Sequence, residues 1–222
     1  MNMNFIANNA VLKVDNLVGV RGDRLLFENV NFEMNQGSVL YLQGANGAGK
    51  TTLLRMLCGL SKPYAGNISW CGENIDNLAE EYYQHVLYIG HLSGIKEDLT
   101  ALENLQFSIA LSGKRVTEKQ AAEVLNALGL SKGLNLPTRM LSQGQKRRVA
   151  LARLWLQDAP LWILDEPFTA LDVKATALLK QKIEAFACDG GMVVMTTHQE
   201  FTLNIPKFSQ LRLDENAVNN VA

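Results

Sequence analysis

At 222 residues the chain is long enough for one large domain with an ample core. Its 47% apolar and 19% charged residues are ordinary for a globular protein, and a net charge of -1 with a pI near 6.3 argues against a dedicated nucleic-acid binder. Cys58, Cys71 and Cys188 are odd in number and scattered, which indicates neither a disulfide framework nor a zinc site and predicts a reducing compartment.

In chain order, the N-terminal MNMNFIANNA lacks the basic flank and apolar core of a signal peptide. No apolar run approaches membrane-spanning length, so a soluble cytoplasmic chain is expected. From Val11 to about Ile89, short strands alternate with turns. Within them, the apolar strand Val39-Leu40-Tyr41-Leu42 runs into GANGAGKTT, Gly44 to Thr52, and an amphipathic run follows from Leu53-Leu54. Gly44, Gly49, Lys50 and Thr51 fill the template G-x-x-x-x-G-K-[ST] in the strand–loop–helix context that the motif needs. Glycines let consecutive N–H groups turn inward toward phosphates, and the helix N-terminus behind them adds partial positive charge. Gly44, Ala45, Asn46, Gly47, Ala48, Gly49, Lys50, Thr51 and Thr52 are therefore expected to bind a nucleoside triphosphate. Lys50 supplies a point charge to the β- and γ-phosphates, and the Thr51 hydroxyl is placed to ligate Mg²⁺.

From Leu99 to about Leu130 the pattern is helical, through Leu102, Leu105 and Ile109 and then Ala121 to Leu128. Gly133 and Pro137 lead into Leu141-Ser142-Gln143-Gly144-Gln145, where Ser142 is expected to cap a helix running Lys146 to Arg153. The free N–H groups behind that cap form an anion site. The cluster Lys146-Arg147-Arg148 could mark nucleic acid, but with nothing else basic in the chain it reads as a solvated helix face. Leu161-Trp162-Ile163-Leu164, bounded by Pro160 and Pro167, reads as a strand buried on both faces, with Asp165 and Glu166 at its C-terminal end. Asp165 is expected to hold Mg²⁺ directly or through water, and Glu166 to accept the proton of the attacking water. The αβ alternation continues to Leu213, so the helical segment is an insertion into one α/β core.

The phosphate loop, the Asp165-Glu166 pair and the Leu141 to Gln145 stretch together resemble the ABC-type ATPases, whose signature reads LSGGQ. Gln143 stands where the commonest signature has glycine, while Ser142 and Gly144 are kept. The resemblance implies an α/β P-loop NTPase of the ABC nucleotide-binding kind. Its core sheet is mostly parallel, with an N-terminal antiparallel β part and a helical subdomain insertion. It implies a single domain over 1–222, with an α/β core at about 1–90 and 151–222 and a helical subdomain at about 91–150. It also implies an ATP-dependent head-to-tail homodimer, in which Ser142, Gly144 and Gln145 of one chain meet the nucleotide of the other. Thr169-Ala170-Leu171-Asp172 resembles the D-loop, which puts Asp172 beside the partner's catalytic site, and His198 is implied to contact the γ-phosphate.

Two positions depart from the broad pattern. Most relatives carry a glutamine that contacts Mg²⁺ ahead of the helical insertion, and His91 stands at that place here, unless it is only a loop residue. A neutral imidazole can accept a hydrogen bond or ligate metal, whereas a protonated one repels Mg²⁺. Many relatives stack an aromatic residue on adenine, and Arg21 takes that place here, unless it is a surface turn arginine.

Within the ABC-type ATPases, Tyr88-Ile89-Gly90-His91, Gly94-Ile95-Lys96, Leu99 to Leu105, Arg147 to Leu156 and Leu161 to Ala170 resemble the haem-exporter ATP-binding subunits of cytochrome c maturation. That resemblance implies a peripheral protein at the cytoplasmic face of the bacterial inner membrane. Its implied partners are a membrane subunit CcmB, with CcmC, and the haem chaperone CcmE, and no nucleic acid. It implies that ATP hydrolysis is coupled to haem export or to release of haem-loaded chaperone. No residue displays haem chemistry: His85, His91 and His198 have no haem-site spacing, and no C-x-x-C-H occurs. The ATPase of another ABC importer or exporter, and a nucleotide-gated assembly scaffold, stay open as alternatives.

Overall fold

Strand β1 (Val11–Arg21) hairpins into β2 (Arg24–Asn35), and β3 (Ser38–Gln43) leads to helix α1 (Lys50–Leu57). The chain continues through β4 (Ala65–Trp70), β5 (Glu73–Asn74), the short helices α2 (Ile75–Leu78) and α3 (Glu80–Gln84), and β6 (Val86–Ile89). Helices α4 (Ala101–Ala110), α5 (Glu118–Ala127) and α6 (Gln143–Leu151) follow, then β7 (Leu161–Leu164), α7 (Val173–Cys188), β8 (Met192–Thr196) and β9 (Lys207–Arg212). This computed structural model describes residues 10–197 and 203–213. The chain divides into two compact units, the first containing the described residues of 1–88, 159–165 and 184–222, the second 89–158 and 166–183.

The first unit holds two sheets. One is antiparallel, in the order β2-β1-β4-β5, and is the expected N-terminal β part. The other has the order β6-β7-β8-β3-β9, with β3 parallel to β8 and β9, and β7 parallel to β8. Alternation along β1 buries Leu12 and Val14 on one face, as a half-buried sheet requires, and a register shift after Val14 brings Leu17 into the core as well. By contrast β7 and β8 are buried at every position, which is why LWIL and MVVMT read as unbroken apolar runs. Leu53, Leu54, Met56 and Leu57 of α1 share one core with the inward residues of both sheets, among them Phe27, Ile68, Leu42 and Ile163. That burial anchors the loop between β3 and α1.

The second unit is helical, around Leu102, Leu105, Ile109, Ala121, Leu125 and Val149. Its helices α4, α5 and α6 each begin with a reciprocal capping box: Thr100 with Glu103, Thr117 with Gln120, and Ser142 with Gln145. The helical pattern expected as one stretch from Leu99 is broken between α4 and α5, where Gly113 turns the chain. The run expected to Arg153 also stops earlier, because α6 ends at Leu151 and tightens into a 3-10 turn over Ala152–Trp155. Buried Asn104 ties this unit together by donating to the carbonyls of Lys96, Leu99 and Thr100 and accepting from the Lys96 N–H. Among the described residues, no helix is long and apolar enough to cross a membrane.

Candidate nucleotide site

In the first unit, β3 delivers the chain into the loop Gly44 to Gly49, and α1 leaves it at Lys50. Gly49 caps α1 with a left-handed backbone, φ 98°, and a Cβ there would press on Leu26 and Phe27 of β2. Glycine is therefore required on two counts, conformation and space. Ala45, Asn46 and Gly47 are exposed at the loop's tip, whereas Lys50 is buried. The Lys50 ammonium donates to the Gly44 carbonyl at 2.6 Å and the Ala45 carbonyl at 2.9 Å, so the charge is held over the loop's own backbone. Thr52 is half-buried in the first turn of α1.

Asp165, at the end of β7, is 2% exposed and accepts from two hydroxyls. Thr51 Oγ1 donates to one carboxylate oxygen at 2.8 Å, and Thr196 Oγ1, at the end of β8, donates to the other at 2.8 Å. A hydroxyl and a carboxylate in direct contact suit Mg²⁺, a hard cation that takes one or two protein oxygens and completes its shell with phosphate and water. No cluster of three or more His, Cys, Asp or Glu side chains among the described residues offers a full protein cage. The donor set therefore fits Mg²⁺ held jointly with a nucleotide.

In the second unit, α6 begins at Ser142. The Ser142 hydroxyl accepts from the Gln145 N–H at 3.3 Å, and the Gln145 side chain accepts from the Ser142 N–H at 2.8 Å. Gln145 is thus committed to the cap. Gly144 packs against the segment that carries Asp172: a Cβ there would fall inside the contact radius of the Ala170 carbonyl oxygen. Arg148 extends the same junction, donating to the Leu128 carbonyl at 3.1 Å and lying 3.5 Å from the Asp172 carboxylate.

Glu166 opens this unit's return and has a left-handed backbone, φ 50°. For a residue with a side chain, such conformations cost about 1–3 kcal/mol and persist only where neighbours hold them. The neighbours are specific. Thr169 Oγ1 donates to the Glu166 carboxylate at 3.1 Å, and His91 Nδ1 stands 4.0 Å from the same oxygen. Arg147 donates to the Glu166 carbonyl at 2.9 Å and to the Gly90 carbonyl at 2.7 Å.

These contacts correct the reading of Lys146-Arg147-Arg148 as a solvated helix face. Arg147 is 6% exposed, and Lys146 reaches Glu97 at 2.7 Å, with its side chain only 12% exposed. The missed signal was periodicity: Arg147 shares a stripe with Ala150, Leu151 and Leu154, all buried. Thr196 was also missed, since a lone threonine carries no motif, and Thr169 was read as part of the D-loop without its contact to Glu166. Arg21 is exposed at the end of β1, opposite Arg24 in the hairpin. His198 lies outside the described residues.

A phosphate loop between a parallel strand and its helix, with a carboxylate ending the next strand but one of the same sheet and a capped signature helix, defines a P-loop nucleotide-binding domain of the ABC kind. The family described as ABC transporter matches residues 27–169. The Cytochrome c biogenesis ATP-binding export protein CcmA of Nitrosomonas europaea is 52% identical over 194 residues, 87% of this chain and 91% of that protein. The protein of the same name from Nitrosospira multiformis is 49% identical over 204 residues, 89% of this chain and 96% of that one. The chain belongs to the ABC transporter family and, within it, to the CcmA family. Among solved structures, it is similar to the ATP-binding cassette MJ0796 in a dimeric post-hydrolysis state bound to ADP and Pi. That likeness has 28% identity and a TM-score of 0.72, covering 85% of this chain and 88% of that one.

Proposed function

We propose that the chain is the ATP-hydrolysing subunit of an ABC complex for cytochrome c biogenesis, coupling ATP hydrolysis to haem export or to release of haem-loaded chaperone CcmE. The observation that carries the biological half is the 52% identity to a cytochrome c biogenesis export protein across nearly the whole of both chains. The chemical half is supported by Asp165, set between the Thr51 and Thr196 hydroxyls and followed directly by Glu166.

The loop N–H groups from Gly44 to Thr52 and the Lys50 ammonium bind the phosphates, while the Arg21 guanidinium stacks on adenine. Thr51 and Asp165 hold Mg²⁺, which when bound neutralises charge on the β- and γ-phosphate oxygens. Glu166 accepts a proton as water attacks the γ-phosphorus and the bond to ADP breaks. His91 is assigned to the position that contacts Mg²⁺, and His198 to the γ-phosphate and the orientation of Glu166. In a head-to-tail homodimer closed by ATP, Ser142, Gly144 and Gln145 of one chain face the γ-phosphate held by the other, with Asp172 at the same seam. Its place is the cytoplasmic face of the bacterial inner membrane, as a peripheral partner of CcmB with CcmC and CcmE.

Affinity purification from detergent-solubilised membranes, with wild type and Glu166→Gln in parallel, tests this. Recovery of CcmB-like and CcmC-like membrane proteins with a haem chaperone is expected. Glu166→Gln should bind ATP yet turn over at least about 100-fold more slowly, the lower end of what a positioned base contributes. An unrelated permease in place of those partners would remove the cytochrome assignment, and undiminished turnover would displace Glu166 as the base.

A further inference from the structure

We propose that Arg147 is a positioning residue for ATP hydrolysis: its guanidinium clamps the Glu166 backbone to the Gly90 turn and thereby sets the direction of the Glu166 carboxylate. The inference rests on the reading of Glu166 as the base.

Three observations within the second unit carry it. Arg147 is one of the few charged side chains buried in the described structure, at 6% exposure, and its fork reaches two backbone carbonyls at once, Gly90 at 2.7 Å and Glu166 at 2.9 Å. A planar guanidinium suits that double contact, whereas an ammonium presents a single point of charge. Second, Glu166 has φ 50°, a backbone that side-chain-bearing residues adopt rarely and that external contacts must maintain. Its carbonyl accepts from Arg147 and also from the Thr169 N–H at 3.2 Å. Third, the carboxylate itself has a lateral hold from the Thr169 hydroxyl at 3.1 Å, so its aim follows from the backbone that Arg147 fixes.

The clamp also has a mechanical consequence. Arg147 lies on α6, the helix whose first turn is capped at Ser142. Displacement of that helix therefore reaches the Glu166 carbonyl and the residue preceding His91 through one doubly bonded guanidinium. Its neighbours on the helix make parallel ties, Lys146 to Glu97 and Arg148 to the Leu128 carbonyl. The signature helix thus connects the segment after β6, the Glu166 turn and the Asp172 segment by consecutive basic residues.

The test uses the full-length chain and steady-state ATP hydrolysis, with affinity for a non-hydrolysable ATP analogue measured alongside. Arg147→Met keeps the length and removes the donors. A drop in kcat of about 10- to 100-fold is expected, because small misplacements of a reacting group have effects of that size. KM for ATP and analogue affinity should stay within about threefold, the pattern of an interaction used in the transition state. Arg147→Lys should recover part of the lost kcat. In the Glu166→Gln background, Arg147→Met should leave the residual rate unchanged, since a positioning residue has nothing further to position. Wild-type kcat in Arg147→Met beside an inactive Glu166→Gln would overturn the clamp while sparing the base. An additional loss in the double variant would also overturn it. Undiminished turnover in Glu166→Gln would instead remove the reading beneath it. Should Arg147→Met fail to fold, Arg147→Lys carries the test, with reduced kcat at unchanged analogue affinity expected and unreduced kcat overturning the proposal.

Discussion

Gly144 illustrates how a single residue is fixed by space. Nothing about its backbone demands glycine, but a methyl group there collides with the Ala170 carbonyl. Gly144→Ala should therefore separate the start of α6 from the Asp172 segment, leaving the phosphate loop untouched. Turnover is expected to fall by about 10-fold or more, the effect of small misplacements, while nucleotide affinity of the isolated chain is retained. Unchanged turnover would show that the contact is not needed. At His91, an imidazole stands 4.0 Å from the Glu166 carboxylate. His91→Ala should lower turnover by about 10-fold, the effect of losing a group that positions the reacting ones, with nucleotide affinity retained; undiminished turnover would remove His91 from the chemistry. Lys50, Thr51, Asp165 and Glu166 were legible in the sequence because their motifs bind adjacent residues to one task. Arg147 was not, because its partners are two backbone carbonyls whose positions no local pattern encodes.

At the scale of elements, the capping boxes of α4, α5 and α6 are written locally as S/T-x-x-E/Q, and buried β7 and β8 as unbroken apolar runs. The break between α4 and α5 falls where the apolar spacing lapses, with Gly113 turning the chain. The α4 and α5 boxes differ usefully: Glu103 is ionisable and Gln120 is not. Hydrogen bonds from the Thr100 N–H and hydroxyl hold the Glu103 carboxyl below its ordinary value. A group depressed in the folded state contributes stability above its unfolded value, and the contribution is lost as pH falls through the folded one. Glu103→Gln keeps the cap geometry without the charge. The wild type should therefore melt above that variant near neutrality, and the gap should close as pH is lowered through the carboxylate range. A gap that does not change with pH would mean that the box works equally well protonated.

For the whole molecule, an insertion of helices into an α/β core was readable from the change of period between Ile89 and Leu151. The strand order β6-β7-β8-β3-β9 was not, because crossovers set it, and crossovers leave no trace in local composition. The biological assignment sits at this scale too, since every catalytic residue would serve another transporter equally well. The most direct measurement is the amount of haem-stained c-type cytochrome in cells whose own copy of this chain is replaced by wild type or Glu166→Gln at equal protein level. Wild type is expected to restore cytochrome assembly and Glu166→Gln to abolish it while still associating with membranes. Full assembly in the Glu166→Gln cells, or in cells lacking the chain altogether, would contradict a maturation ATPase driven by this site.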